Sequence, residues 1–325
     1  MNKKQKICTI GGGSGMPIIN KALIRAGFKN IKSIVTTFDS GGDTGRMRTD
    51  ERGKILAFSD YWRALISLWD DDKQKEIWRE MLSFRDGRGR NFGNIFFQFL
   101  SEKEGNLSKV DSLFSSLTQA KLLGEVVPVS LEPANVSFQT MSGKLYYGEH
   151  NLDNLRMSKD RVVKMWLEPK VKVNKEAKEI LGTADVIIVS PGSMYGSVLT
   201  NFLPQGMIEA FKKSKAKKIL MTNISSVANE NDGFDQDDYV GIFEKYLKCK
   251  SPFDLILMVD LDCLDQNLLK KVLELYSLEH SFPIKYNGNS KEKTILADIA
   301  KIEEKNMRLR HSSEKLGEIF KGLEF

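Results

Sequence analysis

Short apolar runs alternate with helically spaced apolar residues along most of this chain. Ile7-Cys8-Thr9-Ile10 and the β-branched stretch from Ile31 to Thr37 have the length of buried parallel strands. Between them, one apolar helical face follows Pro17 and ends before Gly27, and glycine commonly terminates a helix. This strand–helix–strand order predicts a parallel sheet with a right-handed crossover.

The pattern becomes helical in the next part of the chain. From about Glu51 to Gln119, apolar residues recur three and four positions apart, as in Phe58, Trp62, Leu65 and Trp69. We therefore predict a mainly helical insertion at about residues 50–120.

A change to strict alternation marks β structure after the insertion. Val136 and Phe138 alternate with polar residues before the Ser142-Gly143 turn, which predicts a β-hairpin. Strands separated by helical segments then return at Asp185–Val189, Lys218–Thr222 and Asp254–Val259. We expect a single α/β domain over residues 1–325, three-layered and Rossmann-like. Its sheet is mainly parallel, with the helical insertion and the β-hairpin added.

Composition and charge narrow the function classes. The 325 residues are 41% hydrophobic and 28% charged, which is the balance of a globular protein. A net charge of +6 without a concentrated basic motif does not indicate nucleic-acid binding. The longest apolar runs are far shorter than the roughly 20 residues that cross a bilayer, so no membrane insertion is expected.

The N-terminus and the cysteines indicate a compartment. The apolar run after Lys6 is too short for a secretory signal. Cys8, Cys249 and Cys263 are scattered and fit neither a disulfide framework nor a zinc spacing. We expect a protein of the reducing cytoplasm.

A glycine-rich loop joins the first predicted strand to the first helix. Glycine lets the main chain approach a phosphate closely, and the N-terminal amides of a helix stabilise its charge. Met16 occupies the place of the last glycine of the dinucleotide motif, and the Lys-Ser/Thr of a P-loop is missing. The loop therefore predicts a site for a phosphate or another anion without naming the ligand; its candidate residues are Gly11, Gly12, Gly13, Ser14 and Gly15.

Two further loops follow apparent parallel strands, so all three are expected to face one crevice. In the second, Arg46 and Arg48 are candidate phosphate ligands, and Asp39 is a candidate for a ribose hydroxyl or a metal ion. The third presents main-chain amides and Ser193; it lacks the G-x-S-x-G elbow of a serine hydrolase. The other candidate ligand-binding residues in and after these loops are Ser40, Gly41, Gly42, Ser190, Gly192, Tyr195, Asn201 and Asn223.

Four sequence blocks occur in an order typical of one family. They are Thr9–Gly15, Val35–Gly42, Asn91–Asn94 and Ser190–Tyr195. With them the chain resembles the gluconeogenesis-factor family, within the superfamily of the 2-phospho-L-lactate transferases. The resemblance covers most of residues 5–250, and it adds Asn94 to the candidate ligand-binding residues. Further along, Tyr276 and Arg310-His311 resemble family positions.

The resemblance implies a function. Relatives are cytoplasmic proteins that bind UDP-sugars, notably UDP-N-acetylglucosamine, and influence carbon metabolism, cell-wall formation and cell shape. By this resemblance the glycine loop and Ser193 hold the diphosphate, whereas Tyr276 and Arg310 contact the nucleotide sugar. A possible homodimer is a further expectation.

Two alternatives remain open from the sequence. The transferase relatives move a phospholactyl group from a nucleotide-diphosphate donor with Mg²⁺, and Asp39 and Asp60 are the candidate catalytic residues for such an enzyme, with Asp39 as the candidate metal ligand. Ser40 stands where the family usually has a second Asp, which weakens that interpretation. A scaffold with an inactive site is the other alternative.

Overall fold

The computed structural model describes residues 3–50, 55–70, 73–105, 107–288 and 292–323. Short strands and helices alternate through this part of the chain, as the apolar pattern predicts. Its strands are β1 (Ile7–Gly11), β2 (Ile31–Val35), β3 (Gly124–Pro128), β4 (Asn135–Thr140), β5 (Leu145–Tyr147), β6 (Val162–Glu168), β7 (Val186–Val189), β8 (Lys217–Met221), β9 (Leu255–Val259), β10 (Lys293–Ala297), β11 (Ala300–Glu303) and β12 (Arg308–His311).

The helices connect these strands and cover both faces of the sheet. They are α1 (Gly15–Arg25), α2 (Gly42–Asp50), α3 (Ser59–Leu68), α4 (Lys73–Ser83), α5 (Phe92–Glu104), α6 (Val110–Thr118), α7 (Asn151–Asn154), α8 (Lys175–Thr183), α9 (Met207–Lys213), α10 (Ala228–Asn231), α11 (Gln236–Leu247), α12 (Gln266–Leu278) and α13 (Ser313–Gly322).

Seven strands form one parallel sheet in the order β10-β9-β8-β7-β1-β2-β3. The chain leaves β1 toward β2 and β3 on one side, and it returns to the other side of β1 with β7. The strand order therefore reverses between β1 and β7, and such a switch point opens a crevice at the carboxyl ends of the strands. The predicted α/β class with a mainly parallel sheet is confirmed.

Buried residues alternate between the two faces of the sheet. In β7, Val186 and Ile188 pack into the core on the side of α1, α3 and α13, whereas Ile187 and Val189 pack into the core on the opposite side. Successive side chains of a strand point to opposite faces, so a strand covered on both faces reads as a continuous β-branched run.

The predicted β-hairpin is confirmed and is part of a larger unit. β4 pairs with β5 in antiparallel register, with Phe138 opposite Tyr146. β6 pairs with the other edge of β4, so the unit is a three-stranded sheet, of which the sequence pattern predicted two strands. Phe138 and Met165 bury its inner face against the core.

The predicted helical insertion corresponds to α3–α6, which lie between β2 and β3. Residues 51–54, 71–72 and 106 of the predicted segment lie outside the described residues. One prediction was wrong: the stretch after Asp39 is not a loop throughout, because Gly42–Asp50 forms α2. The glycines and polar residues of this segment are typical of a loop, so the sequence pattern did not predict the helix. In the structure the Thr49 hydroxyl donates a hydrogen bond to the Gly45 carbonyl at 2.9 Å.

The last elements lie beside the carboxyl edge of the sheet. α12 and the antiparallel hairpin β11–β12 pack through a small apolar cluster of their own, separate from the two main cores. No helix in the described ranges is long and apolar enough to cross a bilayer. The cluster consists of Ile224, Leu264, Leu269, Val272, Tyr276, Ala300 and Leu309.

Candidate functional site

A cavity of about 480 Å³ opens at the switch point between β1 and β7. One side, called here the sheet-edge wall, consists of the loops after these strands, residues 11–15 and 190–193. The other side, called the C-terminal wall, consists of α12 and the β11–β12 hairpin. Ser14, Gly192 and Ser193 line the cavity from the first wall, and Tyr276, Arg308 and Arg310 line it from the second.

The glycines of the β1 loop are required by close packing. A Cβ on Gly15 would collide with the carbonyl oxygen of Pro191 in the β7 loop, and one on Gly12 would collide with the Asp60 carboxylate. Gly13 has φ +59°, in the left-handed region that favours glycine. The two loops therefore touch through main-chain atoms.

The N-terminus of α1 faces this cavity. Ser14 precedes the helix, is exposed, and makes no side-chain capping hydrogen bond. The first turn contains no acidic residue. A helix start of this kind favours an anion, because its amide dipoles leave a partial positive charge there.

Hydrogen bonds within the β7 loop fix its shape. The Ser193 hydroxyl donates to Glu230 Oε1 at 2.6 Å and accepts from the Gly196 amide at 2.9 Å. Gly192 and Asn223 bind each other reciprocally, with both N···O distances 2.8 Å. Burial raises the pKa of Glu230, whereas the Ser193 hydrogen bond opposes that rise. The Ser193 hydroxyl is already used, so this loop offers a ligand mainly its main chain.

Four of the candidate residues support the loops from outside the cavity wall. The Asn201 amide donates to the Gly11 carbonyl at 3.1 Å. The Tyr195 hydroxyl, in the core, donates to the Val162 carbonyl at 3.2 Å. Asn94 donates to Asp43 Oδ2 at 3.0 Å, and Ser190 is fully buried between the loops. Ligand contact by any of these residues stays a prediction.

The C-terminal wall presents ordered cationic and aromatic side chains. Arg308 binds Glu279 through two hydrogen bonds of 2.7 and 2.5 Å, and its guanidinium lies 5.3 Å from the centre of the Tyr276 ring. The Tyr276 hydroxyl accepts from the Leu309 amide at 2.9 Å. The Arg308 hydrogen bond lowers the pKa of Glu279. The sequence analysis did not identify Arg308. Its position could have indicated it, because Arg308 lies two residues before Arg310 in β12 and alternate residues of a strand share a face.

Arg310 and His311 complete this wall. The Arg310 side chain is 51% exposed, and its Nε lies 4.0 Å from Glu303 Oε2, so it is held only weakly. His311 is 8% exposed, and its buried Nε2 has no hydrogen-bond partner among the described residues. Burial lowers the pKa of His311 to about 4, so the imidazole is neutral at physiological pH.

Carboxylates gather behind the glycine loop. Asp39 accepts from the Gly41 amide at 2.7 Å and from the Ser59 hydroxyl at 2.6 Å. Burial and the nearby charge of Asp39 raise the pKa of Asp60 to about 6, while a hydrogen bond from the Gly13 amide opposes this rise. Burial and Asp39 also raise the pKa of Glu149, which hydrogen-bonds to Asp39. Sequence reasoning did not single out Glu149 as a site residue.

Two further cavities adjoin the first. One of about 200 Å³ is lined by Asp39 and Asn94, and one of about 900 Å³ is lined by Ser40, Gly41 and Gly42. Asp153 of α7 lines all three cavities. The three predicted loops therefore converge on one carboxyl edge, where they border cavities that share Asp153.

The arginines of the second loop have other partners than those expected. Arg46 donates to the carbonyls of Arg88 and Gly89 at 2.8 and 3.0 Å. Arg48 is buried and donates to the Phe38 and Asp39 carbonyls at 3.2 and 3.0 Å. Both side chains hold the main chain in place, and phosphate binding by either stays a prediction.

The acidic residues fit a metal ion only together with a ligand. Among the described residues, no group of three or more His, Cys, Asp or Glu side chains is arranged to hold a metal. Mg²⁺ commonly takes one or two carboxylates and completes its octahedron with phosphate oxygens and water. Burial and, after it, the charge of Asp39 raise the pKa of Asp60, so a cation bridging from these two carboxylates to a diphosphate would favour their charged forms.

Comparison with known proteins gives one family. The family model described as 2-phospho-L-lactate transferase CofD matches residues 7–307. A relative from Aquifex aeolicus, named as a gluconeogenesis factor, is 33% identical over 282 residues, 84% of this chain and 83% of the relative. One from Thermotoga maritima, named likewise, is 28% identical and covers 97% of this chain and 98% of its own length.

Solved structures agree with this comparison. The crystal structure of a UPF0052-family protein from Bacillus halodurans aligns with a TM-score of 0.83 at 25% identity. The alignment covers 97% of this chain and 99% of that protein.

Proposed function

The chain belongs to the family described as 2-phospho-L-lactate transferase CofD, and from this premise we propose that it binds a nucleotide-sugar of the UDP-sugar type. The binding site is the 480 Å³ cavity between the sheet-edge wall and the C-terminal wall. In this proposal the protein acts in the cytoplasm as a gluconeogenesis factor, in carbon metabolism or in the control of cell wall and cell shape. The names of its relatives support the part of this role in gluconeogenesis.

The observation that carries this proposal is the pairing of unlike walls across one cavity. The sheet-edge wall offers main-chain amides and the N-terminus of α1, which suit a diphosphate. The C-terminal wall offers Tyr276, Arg308 and Arg310, which suit the uncharged and hydroxyl-bearing parts of a nucleotide sugar. A volume of about 480 Å³ lies within the usual range of ligand sites, about 300–1,000 Å³.

The acidic cluster supports a second candidate function, a Mg²⁺-dependent transferase of phosphorus-containing groups. Asp39 and Asp60 would hold Mg²⁺ against the diphosphate, and the ion would stabilise the charge of the leaving nucleotide. Asp60 lies directly behind the glycine loop, because a Cβ on Gly12 would meet its carboxylate. The oxygens of Asp39 already accept two hydrogen bonds, so we favour binding over transfer.

A thermal-shift titration separates these functions. We expect UDP-sugars to raise the unfolding temperature more than ADP or GDP does, both with Mg²⁺ and in EDTA. A ligand at about 100 times its dissociation constant adds about 2.7 kcal/mol to the free energy of unfolding. Equal shifts with all nucleotides, or none with UDP-sugars, would contradict the proposed ligand.

Asp39→Asn tests the metal directly. For a binding protein whose ligand extends from the 480 Å³ cavity to Asp39 in the adjoining 200 Å³ cavity, the affinity falls about 10- to 150-fold, the value of one carboxylate hydrogen bond of about 1.5–3 kcal/mol, and does not depend on Mg²⁺. For a transferase, wild type releases a nucleoside monophosphate from a dinucleotide-type donor only with Mg²⁺, and the variant does not. Such release would replace the binding proposal by the transferase.

A further inference from the structure

A third side of the 480 Å³ cavity is formed by the segment around α7, residues 151–158, which we call the α7 segment. Leu152, Asp153 and Arg156 of this segment line the cavity together with the two walls. Arg156 lies in the turn directly after α7, and its side chain is exposed. The α7 segment therefore brings to the cavity a basic group that belongs to neither wall.

The main chain of the α7 segment is held in place on the protein. Leu152 is 4% exposed and packs in one of the two main cores. Its carbonyl accepts a hydrogen bond from the side-chain amide of Asn229, in α10, at 2.9 Å. The Arg156 amide donates to the Asp153 carbonyl at 3.2 Å. These contacts fix the position from which the Arg156 side chain starts.

The Arg156 guanidinium itself is not engaged. Among the residues that the structure describes, it makes no hydrogen bond and no ion pair. Arg308, by contrast, donates two hydrogen bonds to Glu279. Arg310 has Glu303 at 4.0 Å. A ligand can therefore bind the Arg156 guanidinium without displacing a protein partner.

The charge of Arg156 reaches both walls of the cavity. Burial raises the pKa of Glu230, which is bonded to the sheet-edge wall, and the charge of Arg156 is among the influences that oppose this rise. On the opposite side, the Arg308 hydrogen bond lowers the pKa of Glu279, and the charge of Arg156 adds to this effect. Because electrostatic interactions weaken with distance, the guanidinium lies where the two walls face each other.

Acidic groups in the cavity make such a cation important for an anionic ligand. Asp153, Glu230 and Glu279 all line the cavity. Arg308 compensates Glu279, but within the described ranges no basic side chain contacts Asp153 or Glu230. The diphosphate of a nucleotide sugar carries one negative charge on each phosphate, which these carboxylates repel. The N-terminus of α1 offers only a partial positive charge against this repulsion, whereas Arg156 offers a full one.

We propose that Arg156 recognises the diphosphate of the ligand and thereby selects diphosphate-bearing nucleotides over nucleosides. The planar guanidinium pairs two N–H donors with phosphate oxygens, a geometry for which arginine is suited. It binds the diphosphate from the α7 segment, while the glycine loop and α1 bind it from the sheet-edge wall. This assignment rests on the proposed nucleotide-sugar function and names the residue that reads the charge of the ligand.

Calorimetric titration of the full chain with UDP-N-acetylglucosamine tests the assignment. We expect Arg156→Ala to weaken binding by about 10- to 150-fold, the range for one hydrogen bond between charged groups. Arg156→Lys should recover part of this loss, because it keeps the charge and loses the paired donors. The matched control is Lys159→Ala, which removes an exposed cation three residues further along and outside the cavity lining. This control should bind as wild type does.

Salt dependence separates recognition of charge from a structural role. Between about 50 and about 300 mM NaCl, binding to wild type should weaken more steeply than binding to Arg156→Ala, because salt screens the interaction that the variant lacks. Arg156→Gln keeps most of the side-chain length without the charge and should behave as Arg156→Ala does. Without ligand, all variants should unfold at the temperature of wild type, because the guanidinium makes no contact that folding requires.

The outcomes distinguish this inference from the proposed function. A wild-type chain that binds neither UDP-N-acetylglucosamine nor UDP contradicts both. If wild type binds and Arg156→Ala binds equally well, only the inference is overturned. An equal loss in Lys159→Ala would also overturn it, since overall charge would then explain the effect. A lowered unfolding temperature in both Arg156→Ala and Arg156→Gln, or a salt dependence unchanged from wild type, would assign the residue a structural role instead.

Discussion

The two walls of the cavity are built by different means. The sheet-edge wall consists of main-chain atoms. Its two loops meet where the Pro191 carbonyl leaves no room for a side chain at position 15. The C-terminal wall is made of side chains, with Arg308 held by Glu279 and stacked over Tyr276. The first wall is fixed by the strands that carry it, whereas the second depends on ion pairs and a small apolar cluster.

This difference predicts where substitutions destabilise the fold and where they change only ligand binding. Main-chain contact between buried loops tolerates no added atoms, because the neighbouring carbonyl cannot rotate away as a side chain does. A half-exposed arginine tolerates truncation, because water replaces its contacts. Substitutions in the first wall should therefore affect stability and binding together, and those in the second wall binding alone.

The largest effect is expected for Gly15→Ala in the sheet-edge wall. The new Cβ meets the Pro191 carbonyl, so the β1 and β7 loops must separate. We expect the free energy of unfolding to fall by about 3 kcal/mol, the upper part of the range for overpacking, and nucleotide binding to be lost. Urea denaturation and calorimetry measure the two effects. Full stability in the variant would show that the loops are not in contact.

Arg310→Ala tests the C-terminal wall and should leave stability unchanged. Loss of one charge-assisted hydrogen bond weakens UDP-sugar binding by about 10- to 150-fold. The matched control is Lys301→Ala, which removes an exposed cation directly opposite Arg310 in the same hairpin but outside the cavity. Calorimetry compares the two affinities. Equal losses would mean that only overall charge matters and would remove the distinction between the walls.

The effect spread most gradually, over about two pH units, concerns Asp60 behind the sheet-edge wall. Its pKa is about 6 in the folded chain and near 3.8 when unfolded, so between these values the folded state holds more protons. Stability contributed by this group is therefore lost as pH rises from about 4 to 6, by less than about 1.4 kcal/mol per pH unit. In Asp60→Asn this contribution to the fall of stability with pH should vanish, and the free energy of unfolding at pH 7–8 should rise.

Urea denaturation of wild type and Asp60→Asn at several pH values measures this difference. Burial also raises the pKa of other acids, such as that of Asp111 to about 7. These acids make the same contribution to the pH dependence of stability in both proteins, so the contribution cancels in the difference. Parallel curves for the two proteins would show that Asp60 is not held in a desolvated place beside Asp39.

The sequence predicted the central strands and the sheet-edge wall well, because both depend on local signals. The β-branched runs ending at Ile10 and Val189 are buried on both faces, and the glycines between strand and helix mark the close approach of main chain. α2 escaped prediction, since its glycines and polar residues indicate a loop unless the supporting contacts are known.

The C-terminal wall could be predicted only through the resemblance to a family. Tyr276 and Arg310 are 34 residues apart and meet because α12 packs on the β11–β12 hairpin. Arg308, Glu279 and Glu149 gain their significance from partners distant in sequence, which no local period records. The same reason explains why the carbonyl partners of Arg46 and Arg48 could not be predicted from the sequence.

The small cluster beneath α12 and the β11–β12 hairpin has a consequence for hydrogen exchange. Seven buried residues hold this unit, far fewer than hold the central strands, so it opens as its own cooperative unit at a lower free energy than global unfolding. Amide protons of β12 therefore exchange with solvent sooner than those of β1 and β7. A ligand that contacts both walls adds its binding free energy to the closed state. Binding at the glycine loop therefore slows the exchange of the β12 amide protons, about 300 residues further along the chain.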